Sequence, residues 1–421
     1  MTHSSTSNSE ETLATSDEHG GSRGYYGKVL LAAVLAMAGA MGLVRLFAMA
    51  NNASSASFLG RVLEARAALP RILEEPEPLV FFYGSSMVEA GFSPRQFDRE
   101  LQQQGARLKT FNFGFGGLNP LFQEILARRI QESFEARDRR LELAMIEFNP
   151  FQTTITRRQG ALAAEDSFVT LLSSEEELWQ IFLEDPERGL LLYNIRYLRD
   201  GISAEIATNF LSQPFQAPRM RSTLEQNEED AKRMRELGKQ LNEAFKREYP
   251  NYEDAEWGYD WQGGGTIPEE RSAETLAIFE RYYEAQRTDY RLDNDRLNRI
   301  QTADILEMHF DEDLVVAFIQ LVKHFQTFSD KVEVMMLPRN EAWITYTPEG
   351  RRRLDAVLAR IERETGLKVH DFQQIEGIDP TKFSDTTHLN RYQGAVAFTQ
   401  FLVDRYRDYL VGKTGGSVPR P

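Results

Sequence analysis

The sequence predicts an α/β fold built on a doubly wound, mostly parallel sheet. Three features predict it: short continuous apolar runs that end at Gly, Asn or Pro; helix-start signals soon after several of them; and repetition of this strand–helix unit along the chain. The first run, "LVFFY" (Leu79–Tyr83), lacks polar alternation and ends at Gly84, as expected of a strand buried on both faces. Ser93 then offers an N-cap, Pro94 the first helical position and Gln96 the third-residue partner of a capping box, with Gly105 as the stop. "LKTFNF" (Leu108–Phe113) is the second strand and leads through "GFGGLNP" into a helix from about Pro120 to Arg137. "LELAMIEF" (Leu141–Phe148) is the third strand, closed by Asn149 and Pro150, and "KVEVMML" (Lys331–Leu337) is the fourth, meeting Pro338. Thr347 and Pro348 open a helix that Gly366 stops, and "LKVHDF" (Leu367–Phe372) reads as the fifth strand.

Residues 79–150 and 331–412 therefore form the α/β domain, and 151–330 break its rhythm. That interval is charged and largely helical in pattern, with a capping box at Ser222 and Glu225 and a Gly/aromatic stretch "EWGYDWQGGG"; it reads as a helical insertion between the third and fourth strands. Residues 1–24 are polar and Ser/Thr-rich with nothing to bury, a disordered tail, as are 413–421. Between tail and domain lies a membrane-grade run, Val29–Val44, whose 16 residues would make about 24 Å of helix against roughly 30 Å of hydrocarbon. Extended over residues 25–49, with Lys28 and Arg45 snorkelling and Tyr25 and Tyr26 at an interface, it becomes a transmembrane signal-anchor. "AMA" at Ala48–Ala50 also has the shape of a signal-peptide cleavage site, but Arg45 close to it and the long polar leader favour an uncleaved anchor. An anchor at this end places the body of the protein outside the cytoplasm. Residues 50–78 form a stalk or linker, in which Ser57–Leu73 spaces Phe58, Val62, Leu63 and Leu69 at helical intervals, a stalk or a first packing helix, before the prolines of "EEPEP".

A net charge of −15 argues against a nucleic-acid or anionic-lipid surface. The absence of cysteine excludes disulfides, thiol catalysis and thiolate-held metal. No histidine–carboxylate set has convincing metal spacing, so neither metal nor cofactor is expected.

Ligands of a doubly wound sheet bind outside the carboxyl ends of its strands, so the residues there carry the chemistry. They are Gly84-Ser85-Ser86 after the first strand, "NFGFGG" (Asn112–Gly117) at the second, Asn149 after the third, and "SDTTHLN" with Asp385 and His388 beyond the fifth. Each is commonplace by itself: a turn or N-cap, a glycine turn, a strand end, a chance Asp-x-x-His. The glycine stretch is not read as a dinucleotide fingerprint, because no acidic partner sits suitably placed about 20 residues on. Together they could supply the parts that acyl transfer by a serine needs: a hydroxyl, a base, an acid to orient it, and donors for the oxyanion.

In this order the four blocks resemble the SGNH/GDSL hydrolase superfamily, over Leu79–Asn149 and Val332–Leu410. The resemblance implies a flavodoxin-like sheet, with Ser86 as nucleophile, Gly117 and Asn149 as backbone and side-chain oxyanion donors, and Asp385 and His388 as acid and base. Gly-Ser-Ser replaces the usual Gly-Asp-Ser, and Glu147-Phe148-Asn149-Pro150 the usual Gly-x-Asn-Asp. These departures, with the N-terminal anchor, are similar to the membrane-anchored branch that works beside membrane-bound O-acyltransferases, in alginate O-acetylation and teichoic-acid D-alanine transfer. The function so implied is an extracytoplasmic acyl-ester hydrolase or O-acyltransferase acting on envelope or exported polysaccharide. It would sit at a bacterial-type inner membrane, with the bilayer, an O-acyltransferase and a carbohydrate or acyl ester as partners, and no nucleic acid. Trp257, Tyr259 and Trp261 could stack on sugar rings, although structural packing is the reading favoured for them. The alternative is an inactive SGNH-like scaffold for an acyltransferase or export complex; an Asp-x-x-His aligned with Ser86 speaks against it.

Overall fold

A computed structural model of the protein describes residues 20–50, 58–196, 307–340, 346–383, 387–390 and 393–414, with isolated positions between 232 and 281. The capping box at Ser222 and Glu225 and the aromatics Trp257, Tyr259 and Trp261 lie outside the described residues, as does Asp385.

Five parallel strands form one sheet: β1 (Leu79–Ser85), β2 (Lys109–Phe115), β3 (Leu141–Glu147), β4 (Val332–Met336) and β5 (Val369–Asp371). Their order is β2-β1-β3-β4-β5, the flavodoxin-like arrangement, in which the winding reverses between β1 and β3. Every residue of β1 is buried, as its unbroken apolar run requires. Leu79, Phe81 and Tyr83 face one layer, with helices α2 (Phe58–Ile72), α5 (Pro120–Glu135), α9 (Glu312–Phe328) and α10 (Pro348–Thr365). Val80 and Phe82 face the other, with α3 (Ser86–Gly91), α4 (Pro94–Gln103) and α11 (Gly394–Thr414). Period-two alternation thus divides one apolar strand between two cores, each large side chain contributing about 1.5–3 kcal/mol of transfer free energy.

Local signals carry over well where they concern caps. Asn119, Thr347 and Ser93 each accept a backbone N–H of the first turn they cap, with Pro next in line, and Gly366 ends α10 at φ 72°. The reciprocal half of the predicted Ser93/Gln96 capping box is replaced. Ser93 N donates instead to Thr399 Oγ1 (2.9 Å), and Gln96 Nε2 to the Val396 carbonyl (3.1 Å), so both groups tie α4 to α11.

Of the two readings of the stretch before the sheet, the packing helix is the one observed: α2 buries Val62, Ala65, Leu69 and Ile72 in the first core, and Arg61 donates to the carbonyls of Gly114 (2.7 Å) and Asn112 (3.1 Å). Helix α9 belongs to the α/β layer rather than to the insertion. Its stripe Leu314, Phe318, Leu321, Phe325 and Phe328 has the spacing of a core-facing helix, and Phe318, Phe325 and Phe328 meet Phe148, Tyr83 and Phe134 at ring separations of 4.9, 5.0 and 4.8 Å. The expected membrane span, residues 25–49, is helical. One helix, α1 (Gly20–Ala50), covers it and exposes Val29, Leu30, Leu31, Val34, Leu35 and Leu43. Among the described residues, however, no helix is long and apolar enough to cross a membrane.

The remaining described helices, α6 (Ile155–Leu172), α7 (Glu175–Glu184) and α8 (Pro186–Asn194), begin the insertion, and α6 sends Phe168 and Leu172 into the first core. At the sheet edge, Asp98 of α4 accepts from Thr110 N at 3.1 Å, while its Oδ1 is buried with no hydrogen-bond partner. Burial pushes this carboxyl up to about 7, against the Thr110 hydrogen bonds. A raised acid favours the folded state while protonated, so its contribution is full below pH 4 and is lost as pH rises through about 7. Asp98→Asn is expected to flatten that dependence, narrowing the difference in urea stability between pH 5 and pH 8 by on the order of 1–4 kcal/mol.

Candidate active site

The carboxyl ends of β1 and β3, on either side of the switch point, set Ser85 and Ser86 beside Glu147 and Asn149. The two serines have different surroundings. Ser85 is fully buried and caps α3, accepting from Met87 N (3.2 Å); its hydroxyl donates to Glu147 Oε1 (3.0 Å) and also accepts from Asn149 Nδ2 (3.1 Å). One donor and two acceptors are all that a hydroxyl has, so Ser85 is saturated. Ser86, the first residue of α3, is partly exposed, and its Oγ lies 2.8 Å from His388 Nε2 across 302 positions of sequence. With Nε2 as acceptor, Ser86 is placed to lose its proton to the imidazole.

Neighbouring backbones fix α3 closely. A Cβ on Gly84 would stand 2.5 Å from Glu147 Oε2 and 2.6 Å from Val88 Cγ2, so β1 can carry only glycine where it turns into the helix. Gly114 of β2 packs directly on the Glu89 backbone, where an added Cβ would fall 2.6 Å from Glu89 Cα. Asn112, wholly buried, donates through Nδ2 to the carbonyls of Val88 (2.9 Å) and Phe92 (3.0 Å), satisfying groups at the helix end. The loop carrying His388 is pinned just as firmly. Asn390 donates to the Thr381 carbonyl (3.0 Å) and accepts from Gln393 N (2.7 Å) and Gly394 N (3.1 Å) at the start of α11. Leu389 packs under α3, its Cδ1 3.3 Å from where a Gly91 Cβ would stand. Apolar packing beneath α3 is therefore what brings base and hydroxyl together. His388 Nδ1 lies 3.3 Å from Thr387 Oγ1.

Of the expected oxyanion donors, Asn149 has its Nδ2 toward Ser85 Oγ and Met87 Sδ (3.5 Å), the residues on either side of Ser86. Gly117 stands at φ 79°, a conformation that favours glycine, and its N–H has no acceptor among the described residues. The neighbouring Gly116 N–H is taken by Glu89 Oε2 at 3.1 Å.

Two charged residues that the motif reading did not single out complete the site. Glu147 is buried under Ser85, taking its N–H at 2.6 Å as well as its hydroxyl; burial raises this carboxyl, against Ser85's two donors and the charges of Arg339 and His388. Arg339, 5% exposed, donates through Nη2 to Asn149 Oδ1 (2.9 Å) and lies over the Phe151 ring, 3.3 Å from its centroid. Burial lowers its pKa to about 10, only partly offset by Tyr346, Glu147 and Asp371. The signal for it was available: Arg339 follows β4 at the same carboxyl edge as the other site residues. A cavity of about 680 Å³ opens beside it, lined by Arg339, Gln373, Ile378, Asp379 and Phe383. Phe383 pairs with Leu389, so this cavity adjoins the His388 loop. Among the described residues no group of three or more His, Asp or Glu is arranged to hold a metal ion.

In comparisons with known proteins, the chain matches the model of no known family, and no curated protein matches it.

Proposed function

We propose that the protein is a serine-dependent acyl-ester hydrolase or O-acyltransferase of SGNH type, working on acylated envelope or exported polysaccharide. The observation that carries this reading is the 2.8 Å approach of Ser86 Oγ to His388 Nε2 at the switch point of the sheet. His388 takes the Ser86 proton as Oγ attacks the acyl carbonyl; the carbonyl electrons move to oxygen and the ester or thioester leaving group departs with a proton from His388. Water or a sugar hydroxyl then takes the acyl group by the same route. The Ser86 and Gly117 amides and the Asn149 side chain hold the oxyanion, each such donor being worth on the order of 10²–10³ in rate. In this reading Asp385 orients His388, and α1, with its exposed Leu and Val side chains, ties the domain to an extracytoplasmic membrane face beside a membrane-bound acyltransferase.

A fluorophosphonate probe tests the assignment. The parent chain and Ser85→Ala are expected to label and Ser86→Ala to stay unlabelled; equal labelling of the two variants would remove Ser86 as nucleophile. Ser85→Ala should still lose about 1–3 kcal/mol of stability, because Glu147 and Met87 N lose a buried partner.

A further inference from the structure

A buried guanidinium ordinarily sits against a carboxylate. Arg339 does not: among the described residues no Asp or Glu reaches ion-pair distance, and its Nε and Nη1 are buried without a hydrogen-bond acceptor. Its one side-chain hydrogen bond goes to Asn149 Oδ1, and a chain of buried contacts continues through Asn149 Nδ2 to Ser85 Oγ and on to Glu147. A negative carboxylate and a positive guanidinium thus stand at the two ends of a neutral Ser85–Asn149 relay, directly behind the nucleophile. A buried cation that no described carboxylate pairs, and that Glu147 and Asp371 offset only in part, is costly in the resting enzyme, and it becomes useful if negative charge develops nearby during reaction.

We propose that Arg339 is a positioning residue of the oxyanion hole: it orients and polarises the Asn149 amide, and its charge is balanced when the tetrahedral oxyanion forms. This rests on the serine mechanism proposed above. Oδ1 accepts both Phe151 N (3.1 Å) and Arg339 Nη2 (2.9 Å), which together hold the amide with Nδ2 toward Ser85–Met87, and the charged donor withdraws electron density so that the Nδ2 hydrogens become stronger donors. The stack on Phe151 holds the guanidinium plane while leaving its charge unneutralised. The lowering of the Arg339 pKa by burial agrees with a cation lacking its counter-charge.

The test uses the full chain with 4-nitrophenyl acetate, comparing Arg339→Gln, Arg339→Met and Arg339→Lys in kcat, KM and thermal midpoint. At an effective dielectric near 20, loss of one charge behind a single hydrogen bond is expected to lower kcat about 10–100-fold in the Gln and Met variants. KM should stay within about twofold and the midpoint should hold or rise, because a buried unpaired charge has been removed. Arg339→Lys, which keeps the charge, should recover most of the loss, and in an Asn149→Ala background Arg339→Gln should add little. A kcat within threefold of the parent in Arg339→Gln overturns the proposal, as does a loss of kcat that follows a matching fall in midpoint, or a Lys variant no better than Gln. Should Arg339→Gln not fold, the Met and Lys variants carry the same comparison. A parent chain without Ser86-dependent turnover sinks the serine mechanism itself, and this inference with it; normal parent turnover with an indifferent Arg339→Gln sinks only this one.

Discussion

His388→Ala is expected to reduce ester turnover by about 10³–10⁴-fold while leaving the fold intact. The loss is large because, among the described residues, His388 Nε2 is the base within hydrogen-bond distance of Ser86 Oγ, while the nearby Glu147 carboxylate is sealed behind Ser85, with both oxygens occupied by Ser85's N–H and hydroxyl. The fold should tolerate the change because His388 is only partly buried and Asn390, not His388, ties its loop to α11. The combination Ser86→Ala/His388→Ala should be no worse than either alone, since hydroxyl and base act as one unit. Measurement of kcat/KM on an activated ester, with circular dichroism to confirm folding, checks both statements. A His388→Ala variant retaining a tenth of parental activity would mean that the 2.8 Å contact serves structure rather than proton transfer.

Gly114→Ala is expected to be among the most disruptive of the glycine substitutions at the described positions. The new Cβ would collide with the Glu89 backbone, and neither the central sheet nor α3 can give way easily, because Asn112 ties the end of α3 to the same strand. Overpacking of this kind costs about 1–3 kcal/mol and sometimes more. The functional loss should exceed what the stability loss alone explains, because the element that must move, α3, begins with Ser86. The informative control is two residues away. A Cβ on Gly116 would meet only the end of the Glu89 side chain at 3.3 Å and Ser86 Cβ at 3.7 Å, so Gly116→Ala should stay within about 1 kcal/mol of the parent. Urea denaturation and ester turnover on both variants separate the cases; equal behaviour of the two would show that the packing of β2 on α3 does not set the nucleophile.

Much of the fold is legible in the chain because its signals are short-range. A run such as Leu79–Tyr83 has few alternatives to a doubly buried strand, and caps such as Asn119-Pro120 or Thr347-Pro348 act through hydrogen bonds spanning three residues. What was misread depends on partners. The Ser93/Gln96 pair satisfies a capping-box pattern, yet its groups are drawn to α11, about 300 residues away, and the apolar stripe of α9 has meaning only against α5 and β3.

For the site, sequence by itself determined which residue types stand after each strand, and so nominated Ser86, Asn149, Gly117 and His388. It could not distinguish Ser86 from Ser85 on chemistry, because adjacent serines differ only in what surrounds them. Tertiary structure separates their surroundings: Ser85 spends its one donor and both lone pairs on Glu147, Met87 and Asn149, while Ser86, one residue on, turns with the first turn of α3 toward His388. It alone revealed Glu147 and Arg339 as the charged ends of the hydrogen-bonded chain through Ser85 and Asn149. Neither belongs to a local pattern, since a buried charge is defined by what the rest of the chain leaves it without, and that is known only once the two cores have closed around the sheet.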